Sequence, residues 1–144
     1  MADDALGGAD FVPHLTVAGS FEVEFDQFLS LSKMAVSARK SVGAPLTVTP
    51  IAYDVGETCF QSLYLRCDVS DAVRVVRRAL HTAFFQQEPD FMPHISLYYG
   101  DADQRARRSV IADLPPPIGP FEAGGFAIAG EGETPMTWKI VERL

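Results

Sequence analysis

Two histidines and two hydroxyls recur in this chain at one spacing. His14 and Thr16 stand in "DFVPHLTV" (10–17), and His94 and Ser96 in "DFMPHISL" (90–97), 80 residues later. Asp, Phe, Pro and His are identical in the two copies, apolar replaces apolar, and Thr is exchanged for Ser. Side chains alternate along a strand, so His14 and Thr16 share one face while Leu15 and Val17 point to the other. The second copy behaves in the same way, with His94 and Ser96 on one face and Ile95 and Leu97 on the core side. Pro13 and Pro93 lack an N–H, which suits the first residue of a strand, and each forces the preceding residue into an extended conformation.

A cleft holding two imidazoles and two hydroxyls contains the parts for phosphate-ester chemistry. Hydroxyls hydrogen-bond the non-bridging oxygens, one imidazole activates the attacking group and the other protonates the leaving oxygen. An unperturbed pKa near 6.5 lets one ring be neutral and the other cationic near neutral pH. A lone histidine in a strand is ordinarily structural or surface-exposed. The pair is different, because no structural rule makes both copies keep a histidine and a hydroxyl on one face. The same spacing could present two metal ligands, but no third imidazole or carboxylate stands with them in the pattern. No metal and no cofactor is therefore expected.

Other candidates have plainer readings beside the functional one. His81 has no motif partner and shares a helix face with Arg74, Arg77 and Arg78, so a solvated histidine is expected. Arg105, Arg107 and Arg108 closely follow the second motif; they could reach a diphosphate or form a solvated face. Trp138, the single tryptophan, could stack on a base but is expected in the core.

The elements that must hold these residues alternate. After the first motif strand, "VEFDQFLSLSKMAVSARK" carries apolar Phe25, Phe28, Leu29 and Val36 and a basic end that complements a helix dipole. "APLTVTPIAYDV" and "TCFQSLYLRCDV" are β-branched and aromatic runs separated by "GET", a predicted hairpin. Ser70 is placed to N-cap "DAVRVVRRALHTAFFQ", whose Val73, Val76, Leu80 and Phe84 form one stripe. The second motif strand follows, then a polar helix in "DADQRARRSVIADL", the breaker "PPP" at 115–117, and two strands in "FEAGGFAIAG" and "TPMTWKIVER". The order β-α-ββ-α-β-α-ββ predicts an α+β fold with mainly antiparallel sheet in two related lobes.

The chain of 144 residues fits one domain spanning 1–144. Its 12 basic and 19 acidic side chains leave a net charge of −7, which argues against an electrostatic grip on long nucleic acid. A small phosphate ligand stays compatible with it. There is no leader-like N-terminus and no apolar run long enough to span a bilayer, so a soluble cytoplasmic protein, acting as a monomer and away from membranes, is expected. Cys59 and Cys67, read as lying on one strand roughly 26 Å apart, are out of disulfide reach and expected to be buried free thiols.

The doubled "PHLTV" and "PHISLYYG", together with "FQSLYLRCDV" and "MTWKIVE", resemble the 2H phosphoesterase superfamily, and within it the cyclic phosphodiesterases of plants and yeast. The resemblance covers nearly all of the chain from Asp10 onward. It implies a bilobal α+β fold, two mainly antiparallel sheets about a central cleft, and metal-independent hydrolysis. The substrates it implies are ADP-ribose 1″,2″-cyclic phosphate, a by-product of tRNA splicing, and nucleoside 2′,3′-cyclic phosphates opened to 2′-phosphates. His14 and His94 become proton donor and acceptor, with His94 as base and His14 as acid, and Thr16 and Ser96 become the phosphate-binding pair. The family's tyrosine falls on Tyr99, whereas regular alternation would favour Tyr98; a bulge would select Tyr99. The family's strand and helix before the first motif have no counterpart ahead of Asp10, which would expose a sheet edge or uncover part of the cleft. A non-catalytic nucleotide-binding member, or a 2H-type RNA-end-processing or ligase-like enzyme, is the alternative reading.

Overall fold

The structure is a computed structural model that describes residues 6, 11, 13–19, 25–84, 88–130 and 139–144, with backbone only at 25, 26, 139, 141 and 142. Its elements are α1 (Phe25–Val42), β1 (Thr47–Thr58), β2 (Gln61–Val69), α2 (Asp71–Phe84), β3 (His94–Tyr98), α3 (Gln104–Asp113), β4 (Phe121–Glu122), β5 (Ala127–Gly130) and β6 (Lys139–Arg143). The fold is α+β. One sheet runs β3-β2-β1-β4 and a second pairs β5 with β6, and every pairing is antiparallel.

The hairpin forms where the β-branched and aromatic runs predict it, but its turn lies later. Thr58 pairs with Gln61, so the loop is Cys59–Phe60 and "GET" belongs to β1. A register shift between Val55 and Thr58 accommodates Gly56, where an added Cβ would collide with the carbonyl of Gln61. The turn also changes the reading of the thiols, since Cys59 is exposed and only Cys67 is buried.

One face of the large sheet is apolar. Leu46, Val48, Leu65, Cys67 and Val69 pack with Ala72 and Val73 of α2, and Leu15, Val17, Ile95 and Leu97 join this cluster partly buried. Buried aliphatic and thiol side chains here remove apolar surface from water, the main stabilising term. Ser70 sits at the start of α2, its carbonyl accepting from the N–H groups of Val73 and Arg74. Its hydroxyl does not cap the helix as expected: it donates to Pro45 O and accepts from Thr47 N–H, tying the helix start to the start of β1.

Helix α1 packs on α2 through small residues. Ala35 and Ala38 meet Val76 and Leu80, while Leu29, expected in the buried stripe, is 46% exposed. Small side chains bring the two helices close, so the contact ridge runs along 31, 35 and 38 and bypasses the larger Leu29. The helix ends at Gly43, whose φ of 62° is the left-handed conformation that commonly stops a helix, after Arg39 and Lys40 in the last turn.

Helix α2 is buried on more than its apolar stripe. Arg77 is 6% and His81 2% exposed, contrary to the solvated face expected for both. The cause is packing: α2 meets the sheet through Ala72 and Val73, α1 through Val76 and Leu80, and the segments flanking both motifs through Arg77. Burial pushes the Arg77 guanidinium below its ordinary value, and Glu88 opposes that push.

The run "FEAGGFAIAG" is two strands, not one. Phe121–Glu122 adds to β1, and Ala127–Gly130 pairs with β6 in the other sheet; the break falls at Gly124–Gly125. Trp138 lies outside the described residues, as does the segment before Phe11 apart from Leu6, which is helical and packs on Val55, Leu63 and Tyr98.

Candidate active site

The two motifs lie side by side. Leu15 forms an antiparallel bridge with Ile95, so the first copy lies along the edge of β3 away from β2. Of the strand expected at the first motif, this single bridge is what the described residues contain. Regular antiparallel pairing carried one residue to each side of this bridge would set His14 opposite Ser96 and Thr16 opposite His94. In regular pairing directly opposed residues share a face with Cβ atoms about 4.5–5.5 Å apart, and diagonal neighbours, as His14 and His94 would then be, stand about 7–8 Å apart. That spacing leaves room for a phosphate between two imidazoles. Leu15 and Ile95 lie on the opposite face, in the core, as alternation predicts.

The same face continues across β2. Ser96 pairs with Tyr64 and His94 with Arg66, while Tyr64 pairs with Asp54 and Arg66 with Ala52 on β1. Two rows result, Ser96, Tyr64, Asp54 and beside it His94, Arg66, Ala52, which regular pairing at the bridge would extend to His14 and Thr16 respectively. The first row is the more enclosed, with Tyr64 and Ser96 only 6% and 5% exposed. Thr16 and Arg66 are exposed and His94 is half-buried.

His94 is held on two sides. Its ring meets Tyr64 edge-on, centroids 5.4 Å apart, a favourable aromatic geometry. Its Nδ1 lies 2.9 Å from Met92 O. A carbonyl only accepts, so Nδ1 carries the proton and Nε2 is the nitrogen left to accept or donate toward a ligand. Pro93 fixes the start of the strand, its carbonyl accepting from Cys67 N–H at 2.9 Å.

The two tyrosines part ways at the end of β3. Tyr98 is 4% exposed, packs with Val55 and Leu63, and its hydroxyl accepts from Ala102 N–H at 3.4 Å. A register shift between Leu63 and Tyr64 takes it out of the alternation set by His94 and Ser96. Gly100, with φ 155°, lets the chain turn beneath the Tyr98 ring, where an added Cβ would collide with its Oη. Tyr99, 5% exposed, packs on Phe11 with centroids 4.4 Å apart, and so joins the approach to the first motif to the exit from the second.

One arginine of the basic cluster, Arg107, is structural. Arg107 donates to Ala102 O and Gly56 O at 2.8 Å and to Ser62 O at 2.6 Å, whereas Arg105 and Arg108 are exposed. The alternation in "QSLYLRCDV" of Ser62, Tyr64, Arg66 and Asp68 against Leu63, Leu65, Cys67 and Val69 was the available signal for the polar face of β2, and it is how Tyr64 and Arg66 could have been found. Among the described residues no group of three or more His, Cys, Asp or Glu converges as a metal cage, and no helix is long and apolar enough to cross a membrane. A groove of about 490 Å³ along α1, lined by Ser32, Lys33, Val36, Ser37, Lys40 and Leu144, shares no residue with the motif face.

No curated protein matches the chain significantly. The description "cyclic phosphodiesterase-like protein" belongs to a family whose pattern matches residues 4–141, a span that takes in both motifs, the hairpin and helices α1, α2 and α3. With both copies of the repeated motif inside that span, the chain belongs to the cyclic phosphodiesterase-like family.

Proposed function

We propose that this chain hydrolyses cyclic phosphates through His14 and His94, with ADP-ribose 1″,2″-cyclic phosphate and nucleoside 2′,3′-cyclic phosphates as its substrates. The observation that carries the reading is the antiparallel bridge between Leu15 and Ile95, which supports both histidines and both hydroxyls working on one phosphate. In this scheme Thr16 and Ser96 donate to the non-bridging oxygens, and Tyr99 contributes from the substrate-binding side. His94, neutral and protonated at Nδ1, takes a proton from water at Nε2 as the water oxygen bonds to phosphorus. His14, protonated, gives its proton to the ribose oxygen as the bond from phosphorus to that oxygen breaks. One water is consumed, the ring opens, and a second proton exchange restores both imidazoles.

Purified protein incubated with ADP-ribose cyclic phosphate and with adenosine 2′,3′-cyclic phosphate should open both rings. His14→Ala and His94→Ala should each lower turnover roughly 10²- to 10⁴-fold, the usual worth of a positioned acid or base. Because imidazoles supply both proton transfers, a chelator should leave the rate unchanged. Turnover that survives either substitution, or disappears with chelator, refutes the scheme; tight binding with neither substrate opened would make the chain a nucleotide-binding member of its family.

A further inference from the structure

Arg66 is a charged residue on an interior strand, flanked by β1 and β3, and yet it is exposed. Tyr64, two residues earlier on the same face, is 6% exposed. The polar face therefore opens at the row containing Arg66, and register sets Arg66 directly beside His94. On its other side stands Ala52, whose small side chain leaves space along the row.

The local carboxylates do not neutralise Arg66. Asp68, next on the same face of β2, binds Arg74 Nη2 at 3.0 Å and accepts from Val69 N–H at 2.8 Å. Asp54 accepts from Val55 N–H at 2.8 Å. Among the described residues Arg66 makes no side-chain hydrogen bond and no ion pair. A guanidinium left open beside a phosphate site, in a chain of net charge −7, is suited to bidentate recognition of another phosphate.

We propose that Arg66 forms a second anion subsite, binding a further phosphate or diphosphate carried by the substrate whose cyclic phosphate lies between His14 and His94. This rests on the cyclic-phosphate reading of the motif face. It assigns to Arg66 a part that the sequence pattern left open for Arg105, Arg107 and Arg108, between reaching a diphosphate and forming a solvated face. The substrate class it selects is a cyclic phosphate bearing a second phosphoryl group on the same nucleoside, as against the unadorned nucleoside cyclic phosphate.

The test separates binding from turnover. By calorimetry, wild-type protein should bind adenosine 2′,5′-bisphosphate roughly 10- to 100-fold more tightly than adenosine 2′-phosphate, the scale of a charge-assisted bidentate contact. Arg66→Met, exposed and so expected to keep the wild-type melting temperature, should erase that preference while binding the monophosphate as before. Arg66→Lys should recover part of it, because the charge stays but the planar fork is lost. In kinetics, 5′-phosphorylated adenosine 2′,3′-cyclic phosphate should have the higher kcat/KM in wild type and lose its advantage in Arg66→Met. Equal affinities in the wild type overturn the proposal. So does an equal loss for both ligands in Arg66→Met, which would put Arg66 on the reacting phosphate. If neither cyclic phosphate is opened but the bisphosphate preference exists and depends on Arg66, the subsite stands and the catalytic reading falls.

Discussion

Tyr98 and Tyr99 are neighbours, both buried, and they use their rings in different places. The hydroxyl of Tyr98 is engaged with Ala102 N–H at the turn over Gly100, so it belongs to the loop after β3. Tyr99 lies against Phe11, within the pair of motifs. Tyr98→Phe should cost about 1 kcal/mol or less of stability, the worth of one ordinary hydrogen bond, and leave kcat/KM unchanged. Tyr99→Phe should keep the ring packing and lower kcat/KM roughly tenfold, if its hydroxyl meets a charged substrate oxygen. The reverse ranking in a steady-state assay would return the role to Tyr98. Residue by residue, the shared face of His94 and Ser96 was legible because strand alternation is a strict period. The different surroundings of Tyr98 and Tyr99 were not, because they turn on a register shift at Leu63 and a glycine conformation, neither of which leaves a periodic trace. His81 and Arg77 were misread for a related reason: a helix packed on several sides buries residues that a single hydrophobic stripe leaves outside.

Among the elements, the β1–β2 hairpin is the clearest case of a right pairing with a displaced turn. "GET" has turn chemistry, but Gly56 is needed within β1 to let the Gln61 carbonyl approach, and the loop moves on to Cys59–Phe60. The two thiols report this directly. A thiol reagent on folded protein should modify Cys59 and spare Cys67, with the second equivalent consumed only in denaturant; simultaneous labelling would contradict the hairpin. Burial pushes the Cys67 thiol up, with a backbone hydrogen bond at Ile95 pulling the other way. The folded state therefore holds this proton more tightly than the unfolded chain does. The stability it contributes is complete below the unfolded thiol's pKa, about 8.5, and is lost as pH rises from there through the folded value. Urea midpoints should accordingly fall more between about pH 8 and pH 10 in the wild type than in Cys67→Ala, since the window opens near the unfolded value. A variant that loses as much over that range would assign the alkaline loss to other groups. Cys67 lies on the core side of β2, opposite the polar face that carries Tyr64 and Arg66, so this pH effect should appear in stability and leave the acid–base profile of turnover alone.

At the scale of the whole molecule, the described residues join the two motifs in front by a backbone bridge and from behind by the side chain of Arg77. Arg77 donates from Nη1 to Val17 O at 2.7 Å, one residue beyond Thr16, and from Nη2 to Pro89 O at 3.0 Å, just before "DFMPH". Its Nε lies 3.3 Å from Glu88 Oε1, an ion-pair approach without hydrogen-bond alignment, and its guanidinium stacks 4.2 Å from the Phe91 ring centroid. The guanidinium fork thus sets how far apart the end of one motif and the start of the other stand, across a sequence separation of 72 residues between Val17 and Pro89. No pattern in the sequence announces such a tie, because its acceptors are backbone carbonyls, which every residue carries. Arg107 does comparable work elsewhere, clamping Gly56 O, Ser62 O and Ala102 O, and among the described residues it binds neither Val17 nor Pro89, so it supplies the control. Arg77→Met and Arg107→Met should each destabilise by about 3 kcal/mol, the scale of losing charge-assisted bonds to buried carbonyls, lowering the melting temperature by roughly 10 °C. Measured well below either melting temperature, kcat should fall at least tenfold in Arg77→Met, since a misplacement near 1 Å in a catalytic arrangement is costly, and stay within about threefold of wild type in Arg107→Met. Equal kcat values in the two variants would reduce Arg77 to a stabilising clamp. A selective loss would mean that the spacing of the acid–base pair is maintained from the opposite side of the sheet.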